Sequence, residues 1–366
     1  RVSKRTMSGG WQRWLWMLAL AAAVARAETN APSADEVARQ QFELGAQMLQ
    51  ERKFLGAADA FEQATRAAPR FFEAHVNWGI ALLELGKASG AAVIRLQRFQ
   101  EAADRFRRAV ELNDQAKLPY LFWAEALTRM GELPVEPQTR LDCYLAAAEK
   151  YQRAAEVEPG DWQIYSRWGL LLVEALSPFA QDAETRRQLH AEAAQLFEKA
   201  SERARFSAEL APLYASWGGA LTEVARLTTN TVAKREVLRT ALEKYEKSAQ
   251  TIATSAATYT QWGRALIESG KLSGRRTDFR QAIERLKTSL QYRPGDAATL
   301  YYLAVAHTLS GDGLLAVRAL QEALAADQTG QWRERARADH DLEPLRGEPE
   351  LREVFGPAET WRWPGR

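Results

Sequence analysis

A tryptophan followed by a small residue recurs at a nearly fixed interval, and that interval constrains the fold more than any other feature. The pairs are Trp78-Gly79, Trp123-Ala124, Trp168-Gly169, Trp217-Gly218 and Trp262-Gly263, spaced 45, 45, 49 and 45 residues apart. Leu44-Gly45 stands 34 residues before the first and Leu303-Ala304 stands 41 after the last, in the same register. Self-similarity on this scale is the mark of stacked repeats, each too small to bury its own apolar face.

Each of the seven units continues alike. Three residues after the small one comes Met48, Leu82, Leu127, Leu172, Leu221 or Leu266, with His307 as the exception. Further on comes Ala-x-x-x-aromatic/Leu-x-x-small: Ala57/Phe61/Ala64, Ala102/Phe106/Ala109, Ala147/Tyr151/Ala154 and Ala193/Phe197/Ala200. It returns as Ala241/Tyr245/Ser248, Ala282/Leu286/Ser289 and Ala316/Leu320/Ala323. Spacings of three and four put these residues on one face of a helix. The small residue lets two helices approach, and the aromatic fills the gap between a unit and the next. Asp161 and Asp296, each in a Pro-Gly-Asp turn, are placed to cap the helices that follow.

These residues resemble the tetratricopeptide repeat, a helix–turn–helix unit of 34 residues. The resemblance covers roughly residues 38–327. It implies an all-α fold, a tetratricopeptide-type right-handed α-solenoid of stacked helix pairs. It also implies that the chain binds a protein or peptide partner along the concave face lined by the first helices.

The inner units depart from the plain pattern. From the end of the first helix to the Ala that opens the second motif, the outer units span five residues, Arg52 to Ala57 and Gly311 to Ala316. The inner units exceed this by 11, 11, 12, 11 and 7 residues, always at the same place. Pro137, Asp182 and Asn230 read as helix starts within these inserts. The spacing therefore predicts that each inner second helix begins about two turns early.

The register places Asn77, Phe122, Arg167, Gln261 and Tyr302 in one outward row of the first helices. Ile80, Glu125, Leu170 and Arg264 form a second, and Glu84, Arg129, Glu174, Glu223 and Glu268 a third. These are the candidate partner-binding residues, and the Glu row suits a basic or amide-rich extended peptide. The Lys and Asn with which chaperone-binding members of the family clamp a terminal carboxylate are missing. The first unit has Phe42 and Ala46, and Asn77 has no Lys partner. The repeated Trp residues are expected in the core.

No catalytic pattern stands out, so the chain is read as a non-enzyme without a cofactor. Cys143 is the single cysteine and closes no intramolecular disulfide; His75, His190, His307 and His340 are too far apart in sequence to suggest a metal site. The formal charge of +2 owes its sign to the first 27 residues, which hold five basic and no acidic side chains. The remainder carries 44 basic and 47 acidic residues, which argues against a nucleic-acid partner.

The basic start, the apolar run Trp14–Val24 and Ala25-Arg26-Ala27 have the form of an export signal cleaved after Ala27. The run is about 11 residues, whereas a membrane span takes roughly 20. The expected organisation is a signal peptide over 1–27, a linker over 28–37, the repeat array over 38–327 and capping helices with a tail over 328–366. A periplasmic or secreted location follows. Two readings stay open beside it: a scaffold anchored to a membrane by an uncleaved N-terminal helix, and a carbohydrate or small-ligand binder using exposed Trp. The residues fix neither the partner's identity nor the oligomeric state.

Overall fold

A computed structural model describes residues 33–204, 207–251 and 255–356. The segment read as an export signal and the tail with Trp361 and Trp363 lie outside the described residues. Among the described residues all regular structure is helical. The chain divides into two compact units, Arg1–Pro134 and Val135–Arg366.

In the first unit, α1 (Ala34–Gln50), α2 (Phe54–Ala67), α3 (Phe72–Ala88), α4 (Ala92–Leu112) and α5 (Lys117–Gly131) each pack on the next. The first helices also touch directly, α1 with α3 and α3 with α5. The second unit repeats the arrangement with α6 (Pro137–Val157), α7 (Trp162–Leu170), α8 (Ala183–Arg203), α9 (Ser207–Leu227) and α10 (Thr231–Ala249). It continues with α11 (Ala256–Ser273), α12 (Arg276–Tyr292), α13 (Ala297–Ser310) and α14 (Gly313–Ala326). Here α9 touches α11 and α11 touches α13.

One joint recurs in both units. The second-helix ring lies flat against the glycine of the first helix. A Cβ built on Gly79 would stand 2.5 Å from Phe106 Cε1, and one on Gly45 or Gly169 would stand 2.8 Å from Phe61 or Phe197. Gly218 meets Tyr245 at 3.0 Å and Gly263 meets Leu286 at 2.6 Å. No side chain fits at such distances, so the small residue is required by contact and not by backbone conformation.

Helices α4, α6, α8 and α10 begin two turns early, as the spacing predicts, whereas α12 begins less than one turn early. Helices α4, α6 and α8 have 21 residues and α10 and α12 have 19 and 17, against 14 in α2 and α14. Seven residues are two turns, or about 10 Å. Pro137 opens α6 at its first turn; the Asp182 carboxylate accepts from the Thr185 N–H and the Asn230 side chain from the N–H groups of Val232 and Ala233. Asp161 and Asp296 cap α7 and α13 in the same way.

A second column of buried residues anchors the added turns. Phe99, Tyr144, His190, Leu238 and Phe279 each stand three residues before the motif Ala, and all are buried. Phe99 lies against Gly86 and Phe279 against Gly270, repeating the ring-on-glycine joint one layer along. At His190 the joint is polar: its Nε2 and the Ser177 hydroxyl are 2.9 Å apart and buried. That unit has one residue more than its neighbours before the motif Ala, and Leu171–Leu176 takes it up as a π-helical turn.

Two expected boundaries move. Helix α1 begins at Ala34, so the last four residues of the expected linker are its first turn. Ser33 and Glu36 cause this by forming a reciprocal capping box. At the other end, the segment read as capping helices turns past Ala338 into 3₁₀ turns at His340–Leu345 and Pro349–Leu351 followed by one helical turn, Arg352–Phe355. Pro344 has no N–H to continue a helix. These turns still bury Leu342, Leu345, Leu351, Val354 and Phe355 in the core shared with α13 and α14. A further helix, α15 (Gln331–Ala338), precedes them, with the Asp327 carboxylate accepting from the N–H groups of Trp332 and Arg333.

Gly79→Ala is expected to lower stability by about 1–2 kcal/mol. Overpacking against the fully buried Phe106 outweighs the gain in helix propensity, which is at most about 1 kcal/mol. Gly90→Ala, in open space, is expected to change it by less than about 0.5 kcal/mol. Urea unfolding midpoints check this, and equal midpoints for the two variants would contradict it.

Candidate binding groove

The ring-on-glycine joint uses one face of each first helix and leaves the opposite face outward. In the first unit that face is largely self-satisfied. The Asn77 amide donates to the Glu73 carbonyl oxygen at 2.8 Å. Phe122 stacks on Phe106 with centroids 5.9 Å apart, and Ile80 is half-buried. Lys87 joins Glu84 at 2.8 Å to Glu125 of the next first helix at 2.6 Å. Arg129 pairs with Glu132, the residue that caps its helix, at 2.9 Å.

In the second unit the same register lines two cavities. One, of about 430 Å³, has Leu170, Glu174, Glu223, Gln261 and Arg264 in its wall together with Ser216 and Gly219. The other, of about 420 Å³, shares Arg264 and adds Glu268 and Tyr302. Four successive first helices, α7, α9, α11 and α13, thus contribute to one continuous run of lining residues. Arg167 is exposed on α7 outside both cavities.

The Glu row is not the free acidic strip that the sequence suggests. Glu223 pairs with Arg226 and with Arg264 of the next first helix, each at 2.8 Å. Glu268 pairs with Lys234 at 3.4 Å and Lys271 at 3.5 Å, and Lys271 also reaches Asp341 at 2.7 Å. The sequence reading missed Lys234 and Asp341 because they come from other elements, whereas Arg226 and Lys271 stand one turn along the same helices as Glu223 and Glu268. Lys234 stands on an added turn of α10, and Asp341 belongs to the C-terminal 3₁₀ turn. Burial pushes the Glu223 carboxyl up, and the Arg264 charge and the Arg226 hydrogen bond outweigh it and hold the group below its usual range. Burial lowers Lys271, but the Asp341 and Glu268 carboxylates raise it further than burial lowers it.

The Trp ladder is only partly core. Trp217 and Trp262 are buried, whereas Trp78, Trp123 and Trp168 are half-buried. On three of these rings lies a cation from the second helix of the same unit. Arg105 lies 4.0 Å over Trp78, Lys244 3.6 Å over Trp217 and Arg285 4.1 Å over Trp262. Such contacts are worth about 0.5–2 kcal/mol. Each of these cations stands one residue before the motif aromatic or Leu; that position is Leu196 in the Trp168 unit, and Ala60 and Ala319 in the outer units, where Leu44 and Leu303 replace Trp. Three Trp faces are therefore occupied and unavailable for stacking on a sugar.

Among the described residues no group of three or more His, Cys, Asp and Glu side chains is placed to hold a metal ion. None of the described helices is long and apolar enough to cross a membrane. The Ser177–His190 pair is enclosed between α7 and α8, and burial pushes the imidazole below its usual range. It serves packing, with no access for a substrate.

A carboxyl whose pKa is depressed by folding gives stability that is full above its unfolded value and is lost as pH falls through the folded one. Glu223→Gln, which strips the half-buried Arg264 of its carboxylate, is expected to cost about 1–2 kcal/mol at neutral pH. The difference from wild type is expected to shrink as pH falls below about 4. Denaturant titrations across pH check this, and a difference independent of pH would contradict it.

No family model matches the sequence, and no curated protein matches it. Solved structures are similar to it. The C-terminal part of a tetratricopeptide repeat-containing protein from Cytophaga hutchinsonii matches with a TM-score of 0.51 and 14% identity, over 79% of this chain and 96% of that one. YrrB, a tetratricopeptide protein with an unusual peptide-binding site, matches with a TM-score of 0.45 and 18% identity, over 65% of this chain and 100% of that one. A tetratricopeptide repeat protein from Parabacteroides merdae matches with a TM-score of 0.45 and 12% identity, over 81% and 96%. The likeness to the Cytophaga structure is one of fold. It joins the repeated register, the helix pairs and the joint at the first-helix glycine, and by these the chain has the tetratricopeptide-type fold of stacked helix pairs.

Proposed function

We propose that this chain is an exported scaffold that binds an extended segment of a partner protein along the first-helix face of its second unit. One observation carries the reading. Two cavities of about 430 and 420 Å³ share Arg264 and are walled by four successive first helices. Their size is in the range that accommodates ligand groups, and a single small molecule would use only one of them. An extended chain can put successive side chains into both. The mixed lining of Leu170, Gly219, Gln261 and Tyr302 offers apolar contact and hydrogen bonds together.

Export rests on the basic start, the short apolar run and the Ala25-Arg26-Ala27 site. Amino-terminal sequencing of the native protein is expected to begin at Glu28; a start upstream of Trp14 would favour the anchored form.

A photoreactive benzophenone side chain placed at Ser216, in the wall of one cavity, is expected to capture a defined protein from the native envelope. The same group at the exposed Arg318 of α14 is expected to capture none. Equal capture from both positions, or capture from Arg318 alone, would overturn the groove reading.

A further inference from the structure

The cavity at the C-terminal end of the groove is built from three sources that the repeat pattern alone would not bring together. Helix α11 gives Arg264, Glu268 and Lys271, the added turns of α10 give Lys234, and the C-terminal cap gives Arg335, Asp339 and Asp341. Five cations line it: Arg226, Lys234, Arg264, Lys271 and Arg335. Three carboxylates do: Glu268, Asp339 and Asp341. Those carboxylates are already engaged. Glu268 is shared by Lys234 and Lys271, Asp341 is held by Lys271 at 2.7 Å, and Asp339 accepts the Tyr301 hydroxyl.

Arg335 is different. Its guanidinium lies 5.4 Å from the Tyr302 ring centroid and 5.5 Å from those of Tyr301 and Trp332. Among the described residues no carboxylate forms an ion pair with it. It is an exposed cation on an aromatic bed at the rim of a cavity with surplus positive charge. Its guanidinium also hydrogen-bonds the Tyr301 hydroxyl, and the remaining N–H donors of the five on a guanidinium face outward for a partner.

We infer that this cavity receives acidic side chains, Asp or Glu, of the bound partner segment, with Arg335 as the contact that reads them. The inference rests on the groove reading and names the partner chemistry at one end of it. At this end of the groove it reverses the expectation that the Glu row suits a basic peptide, because Glu223 and Glu268 are spent on their own neighbours.

The test uses the full chain and two fluorescein-labelled, end-blocked probes, decaglutamate and decaglutamine, titrated by anisotropy at low salt. Decaglutamate is expected to bind about tenfold more tightly than decaglutamine. Arg335→Gln is expected to weaken decaglutamate binding about three- to tenfold, and Asp341→Asn to tighten it. Arg318→Gln changes the net charge as Arg335→Gln does but lies on the exposed side of α14, and is expected to have no effect. Equal binding of the two probes overturns the proposal, as does an equal effect of Arg318→Gln and Arg335→Gln. Decaglutamine with a free terminal carboxylate binding as tightly as decaglutamate also overturns it, since the cavity would then take a chain end. A partner captured from Ser216 that binds wild type and Arg335→Gln equally would sink this inference and leave the groove reading standing. Capture only from outside the groove would sink the groove reading itself.

Discussion

The stack of helix pairs depends on a bulky second-helix side chain meeting a glycine. At Gly79 the Phe106 ring comes so close that a single methyl group would collide with it; the same contact recurs at Gly45, Gly169 and Gly218, and at Gly263 Leu286 takes the place of the ring. Glycine inside a helix costs about 1 kcal/mol relative to alanine. A buried phenylalanine is worth about 3–5 kcal/mol against truncation. The exchange favours the joint, and its geometry follows: the two helices of a unit touch at backbone level. The opposite face of each first helix is then free to line a groove.

The inner units extend this logic by one layer. Lengthening a second helix by two turns exposes a new apolar stripe unless something covers it. Phe99 and Phe279 are covered by Gly86 and Gly270, and His190 by the Ser177 hydroxyl. The added turns are therefore packed parts of the fold. They also have a consequence at the groove, because Lys234 stands on them and reaches Glu268 of the following first helix. The insert that interrupts the repeat spacing is the same feature that changes the charge of the groove.

The repeat, the caps at Asp161, Asp182, Asn230 and Asp296 and the early helix starts were legible because each is a local pattern of spacing or residue type. The column Phe99, Tyr144, His190, Leu238 and Phe279 was equally present in the sequence, three residues before each motif Ala, and could have been found by aligning the units there. A cation before the second-helix aromatic or Leu was also visible in four of the five Trp units, as Arg105, Lys150, Lys244 and Arg285, with Leu196 in the Trp168 unit and Ala60 and Ala319 where Trp is absent. The groove was less legible. Its outward positions follow from register, but the pairing of Glu223 with Arg264 and of Glu268 with Lys234 crosses from one element to another. The cap was misread because 3₁₀ turns have no helical periodicity to detect.

The functional account reduces to one claim: the outward faces of α7, α9, α11 and α13 hold the partner. Hydrogen–deuterium exchange of the full chain, with and without the captured partner, addresses it directly. Slowed exchange is expected along α9 and α11 and into α15, where Arg335 stands. Slowed exchange confined to the second helices α8, α10 and α12, with the first helices unchanged, would contradict it.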